Sequence, residues 1–145
     1  MTAMDGPGPL QHALDRIGDR WSLLIIDALQ EQPLRFSDLA DRVAGISPNI
    51  LSNRLGRLED NEVLTASLYT ERPPRHVYEL TEAGRDLAGV LRLLAHWGDR
   101  HSDESTPIRH QLCGTPLEAH WYCVSCDRVV ESVEEHDADP EIRRV

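Results

Sequence analysis

Residues 46–81, ISPNILSNRLGRLEDNEVLTASLYTERPPRHVYELT, constrain this chain more than any other stretch, because a helical periodicity gives way there to a strand periodicity. Ser47 is a good N-cap, and Pro48 suits the first helical position, where the amide proton it lacks would have no partner anyway. Ile50 or Leu51, Leu55 and Leu58 then recur at three- and four-residue spacing and make one apolar stripe. Asn49, Ser52, Asn53, Arg54, Gly56 and Arg57 point elsewhere. After this helix, Val63 to Tyr69 and His76 to Leu80 alternate or carry β-formers on either side of a turn-rich tip, Thr70 to Arg75.

The outward face of the helix is rich in side chains that read base edges. Asparagine pairs bidentately with adenine and arginine with guanine, and each good pair discriminates by roughly 1–3 kcal/mol. An ordinary solvated helix face is the bland alternative, and the flanking segments weigh against it. Asp19 to Gln30 (DRWSLLIIDALQ) reads as a helix with Trp21, Leu24 or Ile25, and Ala28 or Leu29 turned inward. A short extended Leu34-Arg35-Phe36 follows, then a small helix with Ser37 as its N-cap and Leu39 and Val43 on its inner face. Gly45 marks the turn before Ser47. Two helices joined by a glycine-bearing turn form the DNA-binding helix-turn-helix pattern, whose second helix enters the major groove. Arg72, Arg75 and His76 at the ribbon tip are placed to meet phosphate or the minor groove.

At these residues the sequence resembles the HxlR-type winged helix-turn-helix regulators, bacterial DNA-binding proteins of the MarR-like superfamily. The resemblance runs from about Leu10 to Gly98 through GDRW at Gly18 to Trp21, LLI at Leu23 to Ile25, LRFSDL at Leu34 to Leu39, ISPNILSNRLGRLE at Ile46 to Glu59 and PPRHVYELTEAGRDL at Pro73 to Leu87. It implies an α+β winged helix-turn-helix with flanking dimerisation helices, acting as a homodimer on double-stranded DNA and expected to be a repressor. Ser47, Pro48, Asn49, Ser52, Asn53, Arg54 and Arg57 are the implied groove readers, and Arg72, Arg75 and His76 the implied wing contacts. Leu10 and Leu14 in the first helix, with Leu87, Leu91, Leu94 and Trp97 in the last, are the implied dimer residues. Two departures matter. Many relatives carry a sensing cysteine about thirteen residues before the tryptophan, where this chain has Gly8, so an N-terminal thiol switch is not expected. Many also put basic residues on the first wing strand, where Thr65-Ala66-Ser67-Leu68 stand here, which shifts affinity toward base contacts and the wing tip.

Charge is the awkward fact, because a net −10 at pH 7 is a poor footprint for a protein expected to meet DNA. From Glu82 onward seven arginines stand against thirteen acids, a net of −6, and Asp127 to Glu141 supplies seven of those acids. Residues 46–81 themselves hold Arg54, Arg57, Arg72 and Arg75 against Glu59, Asp60, Glu62, Glu71 and Glu79, so any positive field is local. All 15 basic residues are arginine, each capable of planar bidentate contacts. Weak nonspecific binding with steep salt dependence is therefore expected. The 145 residues suit one compact domain plus extensions. No apolar run approaches the roughly 20 residues needed to span a bilayer, and the N-terminus lacks a basic segment before an apolar one, so no membrane association and a cytoplasmic location are expected.

Thr81 reads as the cap of a final helix, Glu82 to about His101, in which Leu87, Val90 or Leu91, Leu94, and Trp97 or Gly98 repeat near heptad spacing. That face packs either on its own domain or, as preferred here, on a partner helix. A dimer would set two recognition helices about 34–36 Å apart and predicts a palindromic operator.

All three cysteines lie beyond that helix, in His110-Gln-Leu-Cys113-Gly114 and Cys123-Val-Ser-Cys126-Asp127. A C-x-x-C turn lets two thiolates converge, and H-x-x-C offers a second pair, so His110, Cys113, Cys123 and Cys126 are candidate ligands of a structural Zn2+ in a small zinc-ribbon-like knuckle. His120 and His101 are the alternative fourth ligands. A redox-active thiol pair and plain reduced cysteines are the competing readings. The expected organisation is thus a disordered start at 1–9, the DNA-binding and dimerisation domain at 10–103, a zinc-binding extension at 104–131 and an acidic, disordered tail at 132–145.

Other classes fare worse. The zinc deaminase signature needs H-x-E and P-C-x-x-C, but Tyr122 precedes Cys123, and neither a glycine-rich phosphate loop nor G-x-S-x-G appears. An enzyme is not expected. A winged helix that binds protein, with a structural or redox-responsive zinc site, is the stronger rival because the acidic tail suits a basic partner. Trp21, His96, Trp97 and Trp121 are candidates to line a small-molecule effector pocket, although aromatic residues at such spacing are usually core, and oxidation of zinc thiolates offers a redox effector route.

Overall fold

Capping side chains decide where the helices of the larger unit begin. In the computed structural model, which describes residues 6–103 and 106–130, helix α1 (Pro9–Ile17) starts on a proline behind Gly8. Helix α2 (Arg20–Leu29) starts behind Asp19, whose carboxylate accepts from the amides of Trp21 and Ser22. A two-residue strand β1 (Leu34–Arg35) leads into α3 (Phe36–Arg42). The cap of α3 is not Ser37, as the sequence suggests, but Arg35, whose amide donates to the Asp38 carboxylate at 3.2 Å. Asp38, at the third helical position, reaches back to that amide and fixes the cap of the helix two residues before Ser37.

Gly45 supplies the positive φ of 81° that turns the chain between α3 and α4 (Pro48–Asp60). Ser47 caps α4 as expected, accepting from Ile50 N at 3.3 Å. Strands β2 (Leu64–Glu71) and β3 (Pro74–Leu80) form the ribbon, so the tip shrinks to Arg72-Pro73 and most of the expected loop is paired strand. β3 is central in a three-stranded antiparallel sheet, with β1 on one side and β2 on the other.

The core lies between α2, α3, α4 and the root of this sheet. Ile25, Ile26, Leu39, Leu51, Leu55, Leu58 and Leu64 are almost wholly buried, with Leu29, Val43, Val63 and Leu80 around them. The sequence left Ile50 or Leu51 open as the stripe residue, and Leu24 or Ile25. Leu51 and Ile25 are the buried members, while Ile50 and Leu24 stay exposed.

The final helix is two. Thr81 caps α5 (Glu82–Asp86), accepting from Gly84 N, and the Leu87 amide closes onto Gly84 O before α6 (Ala88–Arg100) begins. The break follows from how tightly α5 is held: a Cβ on Gly84 would lie 2.2 Å from the Val63 carbonyl, and Arg85 Nη1 donates to Leu80 O at 2.6 Å. Leu87 and Leu91 pack against the core, while Val90, Leu93, Leu94 and Trp97 remain exposed.

A second compact unit begins at Asp99. Its described part holds a small turn at 110–114 and a hairpin of β4 (Trp121–Cys123) and β5 (Arg128–Val130). Residues 1–5, 104, 105 and 131–145 lie outside the described residues, which takes in the expected tail at 132–145 and the first five residues of the expected disordered start at 1–9, whose last residue, Pro9, begins α1.

Leu58 is fully buried, whereas Ile50 of the same helix is 36% exposed. Leu58→Ala should cost about 2–5 kcal/mol in urea unfolding, and Ile50→Ala less than about 1.5 kcal/mol. Equal costs would show that α4 is rotated from the orientation described.

Candidate nucleic-acid interface

Burying Leu51, Leu55 and Leu58 forces the other side of α4 outward. Ser47, Pro48, Asn49, Ser52, Asn53 and Arg57 are exposed and Arg54 is half-buried. Asn49, Ser52, Asn53 and Arg54 line one shallow concavity with Ile50, so four of the expected groove readers share a patch. At the ribbon, Arg72 and Arg75 are exposed and His76 is half-buried, with its ring 6.4 Å from that of Tyr78.

The two arginines of α4 differ from the free, groove-facing side chains that the sequence suggests. Arg54 Nε donates to Asp19 Oδ1 at 2.8 Å and its Nη1 to Asn53 Oδ1 at 2.7 Å. Arg57 Nη2 donates to the Asp15 carbonyl at 2.6 Å, and its Nη1 lies 4.0 Å from Asp19 Oδ2. The reason is local: buried Ser22 and the open start of α2 fix the Asp19 carboxylate where α4 passes, and an arginine beside a fixed carboxylate pairs with it. In this arrangement Arg54 braces α4 against α2, and Arg57 holds the end of α1.

Asp19 carries more than composition or periodicity could reveal. Its Oδ1 accepts from Trp21 N and Ser22 N at 3.1 Å each, and its Oδ2 from Ser22 Oγ at 2.6 Å. Partial burial pushes its pKa up, but hydrogen bonds from Ser22 and the Arg54 guanidinium outweigh that, so the carboxyl stays below the ordinary 3.8. The GDRW segment was the available signal, since Asp before a helix is a cap, yet its long-range partner was not legible.

A second concavity, missed in the sequence, lies between the wing and the start of α3. It is lined by Arg35, Phe36, Ser37, Tyr69, Arg75, His76 and Tyr78. The Arg35 guanidinium sits 4.8 Å over the Tyr69 ring at the point where a register shift between Leu68 and Thr70 interrupts the ladder. Arg35 thereby joins Arg75 on one cationic face. Its place at the end of a two-residue strand gave it no periodic signature.

The remaining expected residues divide. Leu10 and Leu14 on α1 and Leu94 and Trp97 on α6 are exposed, at 72%, 49%, 50% and 57%. Leu87 and Leu91, also read as dimer residues, are half-buried and pack against their own core. Among the four suggested pocket residues, Trp21 packs against the core beneath the Arg20 guanidinium, and Trp121 is exposed in the second unit. The four metal candidates come together as two pairs. His110 Nδ1 lies 3.3 Å from Cys113 Sγ, and the Cys123 and Cys126 thiols hydrogen-bond to one another. Among the described residues, no three potential donors are gathered round one point. All three cysteines are free. Hydrogen bonding from Thr115 and then His110 brings the Cys113 thiol down to about 7.

A helix-turn-helix whose second helix shows polar side chains outward, followed by a two-stranded wing, defines a winged helix-turn-helix DNA-binding domain. Residues 16–106 match the model of the HxlR-like helix-turn-helix family, and the chain belongs to that family. It is 39% identical over 118 residues to an uncharacterized HTH-type transcriptional regulator of Mycobacterium tuberculosis, covering 79% of this chain and 74% of that one. Against the HTH-type transcriptional regulator YodB of Bacillus subtilis it is 34% identical over 99 residues, 68% of this chain and 88% of YodB. The reduced form of YodB superposes with a TM-score of 0.56, at 32% identity over 68% of this chain and 97% of that one. The redox regulator HypR in its reduced form gives a TM-score of 0.62, at 27% identity over 66% and 95% of the two chains. This protein is thus a transcriptional regulator of the helix-turn-helix type that binds DNA, and not an enzyme. No helix among the described residues is long and apolar enough to cross a membrane.

The ionised Asp19 carboxylate stabilises the fold fully above pH 3.8, and that contribution is lost as pH falls through its lowered folded value. Asp19→Asn should therefore show a flatter stability profile than the wild type below about pH 4. Asp19→Ala should lose at least the roughly 1 kcal/mol of an N-cap at pH 7, read by thermal unfolding. A variant as stable as the wild type at pH 7 would contradict the bracing role.

Proposed function

We propose that this regulator acts as a homodimer on a palindromic operator and represses the genes behind it. The observation that carries the reading is the two-sidedness of α4: a fully buried leucine row on one face and exposed Asn49, Ser52 and Asn53 on the other. The asparagines are suited to bidentate contacts with adenine, so the operator half-site should contain A·T pairs at the positions they meet. Arg57, 43% exposed at its side chain, can exchange its contact with the Asp15 carbonyl for a base or phosphate, whereas Arg54 chiefly positions the helix. Arg72, Arg75 and Arg35 offer phosphate contacts on the wing side. Because the chain as a whole is acidic, these local cations must be brought close before they attract DNA, and the bases then decide where the protein stays.

Dimerisation rests on the exposed apolar residues of α1 and α6. Leucines at 72% and 50% exposure, with Trp97 on the same helix as Leu94, are costly to leave in water and are the kind of surface that a second copy covers. Repression follows if the bound dimer blocks access of the transcription machinery to the promoter. HypR is a redox regulator, but in this chain no cysteine lies in the winged domain, so any thiol-based response would have to act through Cys113, Cys123 or Cys126.

Sedimentation of the full chain at micromolar concentration should give a dimer. Leu94→Asp should give a folded monomer that loses affinity for a two-half-site duplex while keeping its affinity for one half-site. A wild-type monomer, or equal binding of half-site and palindrome, would overturn the dimer. On the cognate duplex, Asn49→Ala or Asn53→Ala should cost roughly 1–3 kcal/mol and relax specificity. Arg72→Ala or Arg75→Ala should weaken all duplexes alike and reduce the salt slope by about 1.

A further inference from the structure

The segment 106–130 has no core. Every described residue in it is exposed or half-buried, including Leu112 at 91%, Val124 at 84% and Trp121 at 63%. A pair of three-residue strands is marginal by itself, and units of this size ordinarily need a disulfide or a metal to hold them. A disulfide does not serve here, since all three cysteines are free.

The segment also contains two turns of the same build. In the first, His110 and Cys113 are three residues apart, and the next residue, Gly114, has φ 70°. The Gly114 amide donates to His110 O at 2.8 Å, and the chain returns antiparallel, with His110 N donating to Thr115 O and a bridge between Arg109 and Pro116. In the second, Cys123 and Cys126 are three apart, the next residue, Asp127, has φ 50°, and the chain returns antiparallel with Cys123 opposite Arg128. A left-handed aspartate is uncommon, and its recurrence where the other turn has glycine marks a shared geometry. The shared geometry puts both donors of each pair on one side of its turn. The His110 Nδ1 to Cys113 Sγ distance of 3.3 Å is close to the about 3.6 Å that separates a nitrogen and a sulfur on one tetrahedral zinc.

We propose that the two turns are half-sites that close on a single Zn2+, bound by His110, Cys113, Cys123 and Cys126, and that this closure folds the C-terminal unit. Three thiolates and one imidazole form a soft, complete tetrahedral set, so the ion is structural, with no position open for a substrate. The thiol protons pass to solvent as the ion binds. The pairs stand apart in the structure described, and the ion supplies the energy that brings them together, so metal binding and folding of residues 106–130 are one event. This site is independent of the DNA reading, because it lies in the separate unit that starts at Asp99.

The test uses the full chain, purified under reducing conditions without chelator. Metal analysis should give one zinc per chain, and Co2+ added to chelator-stripped protein should give the intense visible bands of a tetrahedral thiolate site. Cys113→Ser and Cys123→Ser should abolish the bands, and His110→Ala should weaken Co2+ binding more than about tenfold. His120→Ala should leave binding unchanged. Amide exchange across 106–130 should slow when Zn2+ is added, while α2 and α4 exchange as before. Protein that is folded in its winged domain but neither carries zinc nor binds added Zn2+ or Co2+ overturns the proposal. So does a cobalt site that survives Cys113→Ser, or one lost in His120→Ala but kept in His110→Ala.

Discussion

The placement of the recognition helix depends on one carboxylate. Asp19 closes the open end of α2, accepts the hydroxyl of buried Ser22 and holds Arg54 of α4 at 2.8 Å. With Arg57 bonded to the Asp15 carbonyl, α1, α2 and α4 are tied at one corner of the domain. The leucine row of α4 supplies most of the burial energy, but apolar packing is non-directional and tolerates rotation or sliding. The charged hydrogen bonds fix the angle at which Asn49, Ser52 and Asn53 face outward. The pair is shielded enough to resist salt better than a fully exposed one, since both side chains are 26% exposed.

The electrostatics of this regulator are therefore divided. Arginines nearest the core are engaged in internal geometry, and Arg35, Arg72 and Arg75 lie on the wing side, where the proposed reading has them meet phosphate. Arg35 stacks on Tyr69, which orients its guanidinium without neutralising it. The result is a small cationic face on an acidic protein. On the proposed reading, long-range attraction to DNA is expected to be weak and short-range complementarity to carry the discrimination.

Much of this was legible in the sequence, and the misses have physical causes. The caps at Ser47 and Thr81 and the stripe of Leu55 and Leu58 are local patterns and fell where the spacing put them, whereas Asp19, read as the first residue of its helix, is the cap before it. Ser37 was misassigned because the helix start is set by Asp38 reaching back to the Arg35 amide and not by a hydroxyl cap. The last helix was read as continuous because only tertiary contact, Gly84 against the Val63 carbonyl, reveals why it breaks. Arg54 and Arg57 look alike in a sequence whether they reach out or back, and only partners 35 and 42 positions away decide it. The Cys and His spacing suggested one four-ligand site, and the structure brings the donors together as two pairs. The positive φ at Asp127 that makes the two turns alike carried no sequence signal.

The central claim is that the outer face of α4 reads sequence in a symmetric pair. The most direct measurement is selection of bound duplexes from a random pool at fixed physiological salt, followed by sequencing of what the full-length protein retains. The account predicts a palindrome with half-sites about ten base pairs apart, lost or relaxed with Asn49→Ala. Retention of duplexes with no common sequence by folded protein, or of a lone half-site without its repeat, would contradict it.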